Sequence, residues 1–417
     1  MRRNRSKKQS SGLGLSSKGT ESVTIGSGAL NRPLRVLMPF AGSGVGGSVV
    51  SSAEMIRLLL EHGGVKPVVV TPESGPSSPL FEATGVELIH SEPSGIRSDT
   101  GRLGGKIKAL PRYTRAYLNA RRLLTELQPD VLHLNEDRLV LPWGAAAHSA
   151  KVPVVWHIRQ ERPNRMLDGI RLRLSRHLIF VADANRSRFA STRGLPPSTR
   201  LYNVVDTARY RPTSDLSLDK VRTGLNPNQL TLTFLGNLVE RKRAEWVLQA
   251  AGYIQKHLPI QVVLIGAPLG PVSYVDSLHA LAKQASEPES ILFLGLRDDV
   301  ADLLRASDVV TLPSVLKGEA FPRAIIEAMA SGVPVVATDV AGVSEAVENN
   351  VTGFLVDPQD YQAYESALYE LLGDTERRKH MGLRARDVAT SRFSGTAMAR
   401  SLLEIYDSVV NQNRHRH

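Results

Sequence analysis

Short apolar runs, closed by glycine or proline, alternate with segments of helical periodicity along most of the chain. Leu34–Phe40 (LRVLMPF) reads as a buried strand, Ala41–Gly47 (AGSGVGG) as a loop, and Ser48–His62 as a helix stopped by Gly63-Gly64. Lys66–Thr71 (KPVVVT) is the next strand. This order is a βαβ unit, because parallel neighbours need a crossover between them. Further strands are predicted at Val86–His90, Asp130–Leu134, Val152–Ile158 and His177–Ala182, with helices at Arg112–Leu127 and Leu139–Ala150. Arg209–Asn228 is polar and turn-rich, which puts a domain boundary nearby.

The second half repeats the plan. Strands are predicted at Leu230–Gly236, Gln261–Gly266, Ile291–Gly295, Val309–Leu312 and Pro334–Thr338. Helices are predicted at Arg243–His257, Ser277–Ala285, Val300–Ala306 and Pro322–Ala330, then at Pro358–Leu372, Glu376–Asp387 and Gly395–Val409. The expected fold class is therefore α/β, with two Rossmann-like doubly wound domains facing across a cleft. Such pairs bind ligands near strand carboxyl ends. The expected division is a basic, disordered tail (1–32), an amino-terminal Rossmann-like domain (33–207) and a carboxyl-terminal Rossmann-like domain (208–392). A helix (393–410) packing back on the first domain and a disordered tail (411–417) complete it.

Composition narrows the chemistry. A chain of 417 residues exceeds one hydrophobic core, and 42% hydrophobic content is enough to fill two. The absence of cysteine excludes disulfides, thiolate-bound zinc, iron–sulfur clusters and cysteine nucleophiles, and is compatible with a reducing cytoplasm. The net charge is +11, and the first 20 residues carry Arg2, Arg3, Arg5, Lys7, Lys8 and Lys18 with no acid. No apolar run follows them, and no apolar stretch reaches the roughly 18 residues a membrane span needs, so neither signal peptide nor anchor is expected.

Four constellations carry candidate chemistry. Gly42-x-Gly44-x-x-Gly47, with Glu73 near the end of the next strand, matches a dinucleotide fingerprint, but so glycine-rich a loop meets that pattern easily. A purely structural turn competes with an anion-facing helix start there. Gly236–Arg243 (GNLVERKR) puts Arg241, Lys242 and Arg243 at a helix start, where cations are unfavourable unless an anion lies opposite. A diphosphate held by an exposed Lys242 competes with a solvated cluster. Leu312–Ala330 (LPSVLKGEAFPRAIIEAMA) places Glu319 in a loop, Pro322 in the first helical turn and Glu327 inside an apolar run. A buried acid needs partners, and ribose hydroxyls suit it; an outward-facing acid is the alternative. Trp156-His157-Ile158-Arg159 ends a strand, with His157 able to donate to a hydroxyl or carry a proton near neutrality and Arg159 able to neutralise an anion. No HExxH or Asp-x-Asp pair occurs, so no metal site is expected.

Two basic runs suggest a surface for anionic lipid. Gly105–Leu124 holds Lys106, Lys108, Arg112, Arg115, Arg121 and Arg122, with Tyr113, Tyr117, Leu118, Leu123 and Leu124 as the apolar face. Arg159–Arg176 adds Arg162, Arg165, Arg171 and Arg173 against Glu161 and Asp168. A solvated face, or recognition of an acidic soluble acceptor, is the competing reading.

With these motifs the chain resembles the retaining glycosyltransferases of GT-B fold in family 4, the group 1 glycosyl transferases. That group includes bacterial lipopolysaccharide and capsule transferases and sucrose synthases. Glu319-x7-Glu327 within EAFPRAIIEAMASGVPVVAT is similar to the family's glutamate motif. The resemblance implies that Glu319 contacts donor-sugar hydroxyls and Glu327 the ribose. FLGNLVERKR resembles the phosphate segment, with Lys242 at the lysine position and Asn237 where an arginine is usual. Tyr202–Asp206 (YNVVD), Gly295–Val300 (GLRDDV), Ala341–Glu345 (AGVSE) and Asn350–Pro358 (NVTGFLVDP) also agree. Gly46 and Gly47 correspond to glycines near the donor phosphates, and His157 to a histidine near the transferred sugar. Gly236, Arg297, Phe321 and Pro322 complete the implied donor site.

The resemblance implies a metal-independent hexosyltransferase with no cofactor, using a UDP- or GDP-linked sugar and a glycan or lipid-linked acceptor. It further implies a cytoplasmic enzyme, peripheral on the inner membrane face, with no nucleic-acid partner. A nucleotide-sugar epimerase or phosphorylase, a nicotinamide oxidoreductase and a non-catalytic nucleotide-sugar-binding protein remain alternatives.

Overall fold

The computed structural model describes residues 32–415 except 43, 45, 74, 92–102, 161–163 and 317–318, and omits the side chains of 103–110 and 165. The expected basic tail thus lies outside the described residues except for Arg32, whose guanidinium donates to both carboxylate oxygens of Asp130 at 2.7 and 2.8 Å.

Two separate parallel sheets organise the chain. The first contains β1 (Leu34–Pro39), β2 (Val65–Thr71), β3 (Glu87–His90), β4 (Val131–Leu134), β5 (Val154–Ile158), β6 (His177–Phe180) and β7 (Ser198–Arg200), in the order β3-β2-β1-β4-β5-β6-β7. The second contains β8 (Leu230–Leu235), β9 (Ile260–Ile265), β10 (Ile291–Gly295), β11 (Val309–Leu312), β12 (Val335–Thr338) and β13 (Gly353–Val356), in the order β10-β9-β8-β11-β12-β13. Helices cover both faces of each sheet, so the central strands are nearly continuous runs of Val, Ile and Leu. Strand order reverses between β1 and β4 and between β8 and β11, which opens a crevice at the carboxyl ends of each pair.

Alternation along β1 sorts its side chains. Leu34, Val36 and Met38 pack with the helix Gly47–His62, whereas Leu37 joins the opposite core with Trp143 and Trp156. The carboxyl-terminal helix Gly395–Arg414 buries Met398, Leu402, Ile405, Tyr406 and Val409 in the first of these cores. Gly395 lies close against this core at the helix start, where a Cβ would come 2.4 Å from a Leu58 methyl and oblige it to move. Val410 continues the buried stripe and Asn413 donates to the Lys151 carbonyl, so the helix runs on to Arg414 and does not give way to a tail at 411.

Helices Ser78–Glu82 and Arg165–Leu174 and strands β7 and β13 add to the predicted elements. Asn164 starts the second of these helices by accepting from the Leu167 amide. The helix Leu103–Leu127 begins well before the expected Arg112 and turns its apolar stripe inward. Leu123 and Leu124 are core, Tyr113 and Tyr117 are half-buried, and only Leu118 of the apolar residues expected to meet a membrane is fully outside. Of the second basic run, Arg171 is buried against Asp168 and Arg159 is drawn into the site described below.

The domains meet through specific polar and aromatic contacts. Tyr202 stacks on Phe321 with ring centroids 4.8 Å apart, and both rings edge onto Phe393. Glu345 reaches across to accept from the Asp183 and Ala184 amides at 2.9 and 2.8 Å and from the Tyr202 hydroxyl at 3.1 Å. A cavity of about 410 Å³ lined by Asp183, Arg200, Tyr202, Glu345 and Arg392 lies at this junction, and no candidate site residue lines it.

Candidate active site

At the second sheet's switch point, the loops after β8 and β11 converge. Gly236 N–H donates to the Ile265 carbonyl at 2.8 Å. Gly266 (φ +147°) approaches so closely that a Cβ would sit 2.2 Å from the Gly236 oxygen. The chain then makes a single turn at Glu240–Lys242, and Arg243 enters the left-handed region (φ 49°) before the helix Ala244–Ile254. This turn folds Lys242 back over Gly236, where an added Cβ would meet Nζ at 2.9 Å.

Lys242 Nζ lies 2.8 Å from Glu319 Oε1, with both side chains only 11% exposed. The expected exposed lysine is therefore a paired one, because the loop after β11 brings a carboxylate over it. Arg241 Nη1 (3.3 Å) and the Ser314 hydroxyl (3.2 Å) also donate to Oε1. Val315 N–H donates to the Arg241 carbonyl at 2.9 Å, tying the two loops together. Asn237 uses its side-chain oxygen to accept from the Ala267 amide at 3.3 Å. Arg243 is turned away, donating to the Pro358 carbonyl and lying 4.5 Å over the Trp246 ring.

Glu327 sits in the helix Arg323–Ala330 at 7% exposure, so the outward-facing alternative does not hold. Arg323, one turn earlier, donates to Oε1 at 2.5 Å, and the Tyr210 hydroxyl also reaches this carboxylate. Pro322 is the residue before that helix rather than inside its first turn. The Phe321 ring belongs to the domain junction, while its carbonyl accepts from Asn203 at 2.9 Å. Arg297 is on the loop after β10, paired with Asp299 at 2.6 Å.

In the first domain, Gly46 precedes and Gly47 opens the helix Gly47–His62, which no side chain caps among the described residues; a Cβ at either glycine would meet nothing within 4 Å. Its first-turn amides therefore present donors at the end of β1. His157, at the end of β5, is 2% exposed. Burial, with Arg159 and His133 nearby, pushes its pKa well below the ordinary imidazole value, so the ring is a neutral imidazole near pH 7 and is not poised to gain a second proton there as expected. Arg159 donates to Asn135 (3.2 Å) and Asn203 (2.8 Å), and its Nη2 lies 3.4 Å from His157 Nδ1. Burial and the nearby Arg323 push Arg159 down to about 9, which leaves it cationic at neutral pH.

Lys242, Glu319 and Gly236 are thus brought into contact, and His157 is linked to the glutamate loop through Arg159, Asn203 and the Phe321 carbonyl. Asn135, Asn203, His133 and Arg323 do not stand out as site residues in the sequence. Only Arg323 carried a usable signal, its spacing of one helical turn from Glu327. Among the described residues, no group of three or more His, Asp or Glu is arranged to hold a metal ion, and no helix is long and apolar enough to cross a membrane.

Comparison with known proteins gives a family match for each half. The model for glycosyl transferases group 1 matches residues 217–388, and that for glycosyltransferase family 4 matches residues 45–209. A D-inositol 3-phosphate glycosyltransferase of Nocardia farcinica is 33% identical over 242 residues, 57% of this chain and 51% of the relative. An N-acetyl-alpha-D-glucosaminyl L-malate synthase of Bacillus anthracis is 30% identical over 214 residues, 51% of this chain and 54% of the relative. The chain thus spans about half the length of the curated relatives it matches. Its fold superposes on HepE of Anabaena, solved with UDP-glucose, with a TM-score of 0.75 at 22% identity, over 90% of this chain and 100% of that one.

Proposed function

We propose that this chain, which belongs to the group 1 glycosyltransferases with a family 4 amino-terminal half, moves a hexose-type sugar from a nucleoside-diphosphate sugar to an acceptor hydroxyl with retention of configuration. The observation that carries this is the Lys242–Glu319 pair over Gly236 at the second sheet's switch point. The bond from the sugar's anomeric carbon to the diphosphate breaks, and the acceptor oxygen bonds to the same face. The acceptor's proton passes to a departing phosphate oxygen. Charge grows on the diphosphate as it leaves, so Lys242, Arg241 and the helix amides at Gly46-Gly47 lower the barrier there. When the diphosphate takes Lys242, Glu319 is released to accept from sugar hydroxyls, and Glu327 accepts from the ribose.

Relatives named for an inositol phosphate and a malate, together with a half-buried Arg159 that no carboxylate pairs among the described residues, support an acceptor bearing negative charge. A glycan or lipid-linked phosphate fits. Attachment to an anionic membrane follows the same chemistry. Arg112, Arg115, Leu118, Arg121 and Arg122 form the outer face of one helix, and Met166, Ile170 and Arg173 that of a second. Basic residues near such a surface contribute about 1 kcal/mol each. Co-sedimentation with anionic liposomes at low salt, lost at high salt, is expected. No binding at low salt contradicts attachment, and equal binding to neutral liposomes assigns it to apolar insertion.

The reaction itself is tested by incubating the protein, with chelator present, with UDP- and GDP-linked hexoses and phosphorylated or lipid-linked acceptors. Acceptor-dependent release of nucleoside diphosphate is expected. Isomerised donor without release would make the chain an epimerase.

A further inference from the structure

Three buried rings form a hydrogen-bonded line that the proposed reaction leaves unexplained. Tyr406, on the carboxyl-terminal helix, places its hydroxyl 2.6 Å from His133 Nδ1. His133, on β4, places Nε2 3.3 Å from Nδ1 of His157 on β5. His133 and Tyr406 are fully buried and His157 is 2% exposed. His157 Nε2 is buried and has no hydrogen-bond partner among the described residues.

The direction of this line follows from counting protons. Burial raises the Tyr406 phenol, which therefore keeps its proton, and His133 Nδ1 is the partner within reach of it. The phenol must donate, or a buried O–H is left unsatisfied. His133 then accepts at Nδ1. A second proton on this ring is disfavoured, since burial and the Arg159 charge hold its pKa down at about 3. Its single proton is thus on Nε2, aimed at His157 Nδ1. Arg159 Nη2 addresses that same nitrogen from 3.4 Å, and a guanidinium can only donate. His157 Nδ1 is the acceptor for both, so the His157 proton is on Nε2.

We propose that Tyr406 and His133 are positioning residues that lock His157 as the Nε2–H tautomer, making its free nitrogen a hydrogen-bond donor to a hydroxyl of the transferred sugar and not a base. The identity of that hydroxyl partner rests on the glycosyltransferase reading; the tautomer does not. The device joins the amino-terminal sheet to a helix 273 residues away from His133 in sequence. Seating of the last helix thereby sets the polarity of the His157 ring.

Ring-nitrogen NMR of histidine-labelled protein tests the tautomer without any substrate, with His133→Gln and His157→Gln used for assignment. His157 is expected to show a protonated Nε2 and a bare Nδ1; a protonated Nδ1 overturns the proposal even if transfer is demonstrated. Tyr406→Phe keeps the packing ring and removes the donor. It should move the His157 signals toward a tautomer mixture and lower kcat/KM roughly three- to tenfold, the effect of one hydrogen bond. In a His157→Ala background the same substitution should cost nothing further, whereas a packing defect would persist there. Unchanged signals in Tyr406→Phe would overturn the relay and leave Arg159 alone to orient the ring.

Discussion

Lys242 and Arg159 both follow the carboxyl end of a parallel strand, β8 in one sheet and β5 in the other, yet their surroundings differ. Lys242 shares Glu319 with Arg241, and Arg323 holds Glu327, so these carboxyl-terminal cations come with acids. Arg159 is half-buried among two asparagines and an imidazole held neutral by burial, with no carboxylate on it among the described residues. A paired lysine is inexpensive to keep in an enclosed site, and an arriving diphosphate exchanges for its carboxylate. A partly desolvated cation with no described acid beside it is less favourable, and what it offers in return is positive potential already in place when an anion enters. One half exchanges partners on binding; the other stands ready.

That contrast is broken most severely at Lys242. Lys242→Ala should lower kcat on the order of 10²-fold or more while the protein stays folded. Unchanged kcat/KM would move the diphosphate elsewhere. Glu327→Gln should weaken nucleoside-diphosphate binding by roughly tenfold, or about 1.4 kcal/mol. Calorimetric titration decides it, and wild-type affinity would make Glu327 a structural partner of Arg323 only. The smallest effect is expected from pH. His157 faces His133 and Arg159, with Tyr406 behind His133, and its depressed pKa keeps it neutral throughout the neutral range. The kcat/KM profile should show no inflection near the ordinary histidine value of about 6.5, whereas a limb there would return His157 to acid–base duty.

The fold was legible because its signals are local. Runs such as VVVT, VVWHI and VVLIG are bounded by turn residues and separated by helical periodicity, and the two-domain α/β class follows from them. Helix Arg165–Leu174 is not legible along the chain because its arginines hide a short stripe whose polar members, Asp168 and Arg171, pair inside the fold. The glutamate motif stood out for the same local reason: an acid within AIIEAMA contradicts its surroundings. What could not be read is what topology assembles. Glu319 lies over Lys242 only because β8 and β11 are neighbours. Tyr406 reaches His133, and Glu345 reaches the Asp183 amide, across long sequence separations. Tyr406, His133 and Asp183 look like ordinary core or surface positions along the chain.

Thermal unfolding against a panel of nucleotide sugars, for the wild type and Lys242→Ala, probes the donor site itself. A ligand present at 100 times its Kd stabilises the fold by about 2.7 kcal/mol, well within reach of a melting experiment. At least one UDP- or GDP-linked hexose should raise Tm in the wild type, with most of the shift lost in Lys242→Ala. Equal shifts in both proteins, or no shift with any nucleotide sugar, would contradict a donor site built on the Lys242–Glu319 pair.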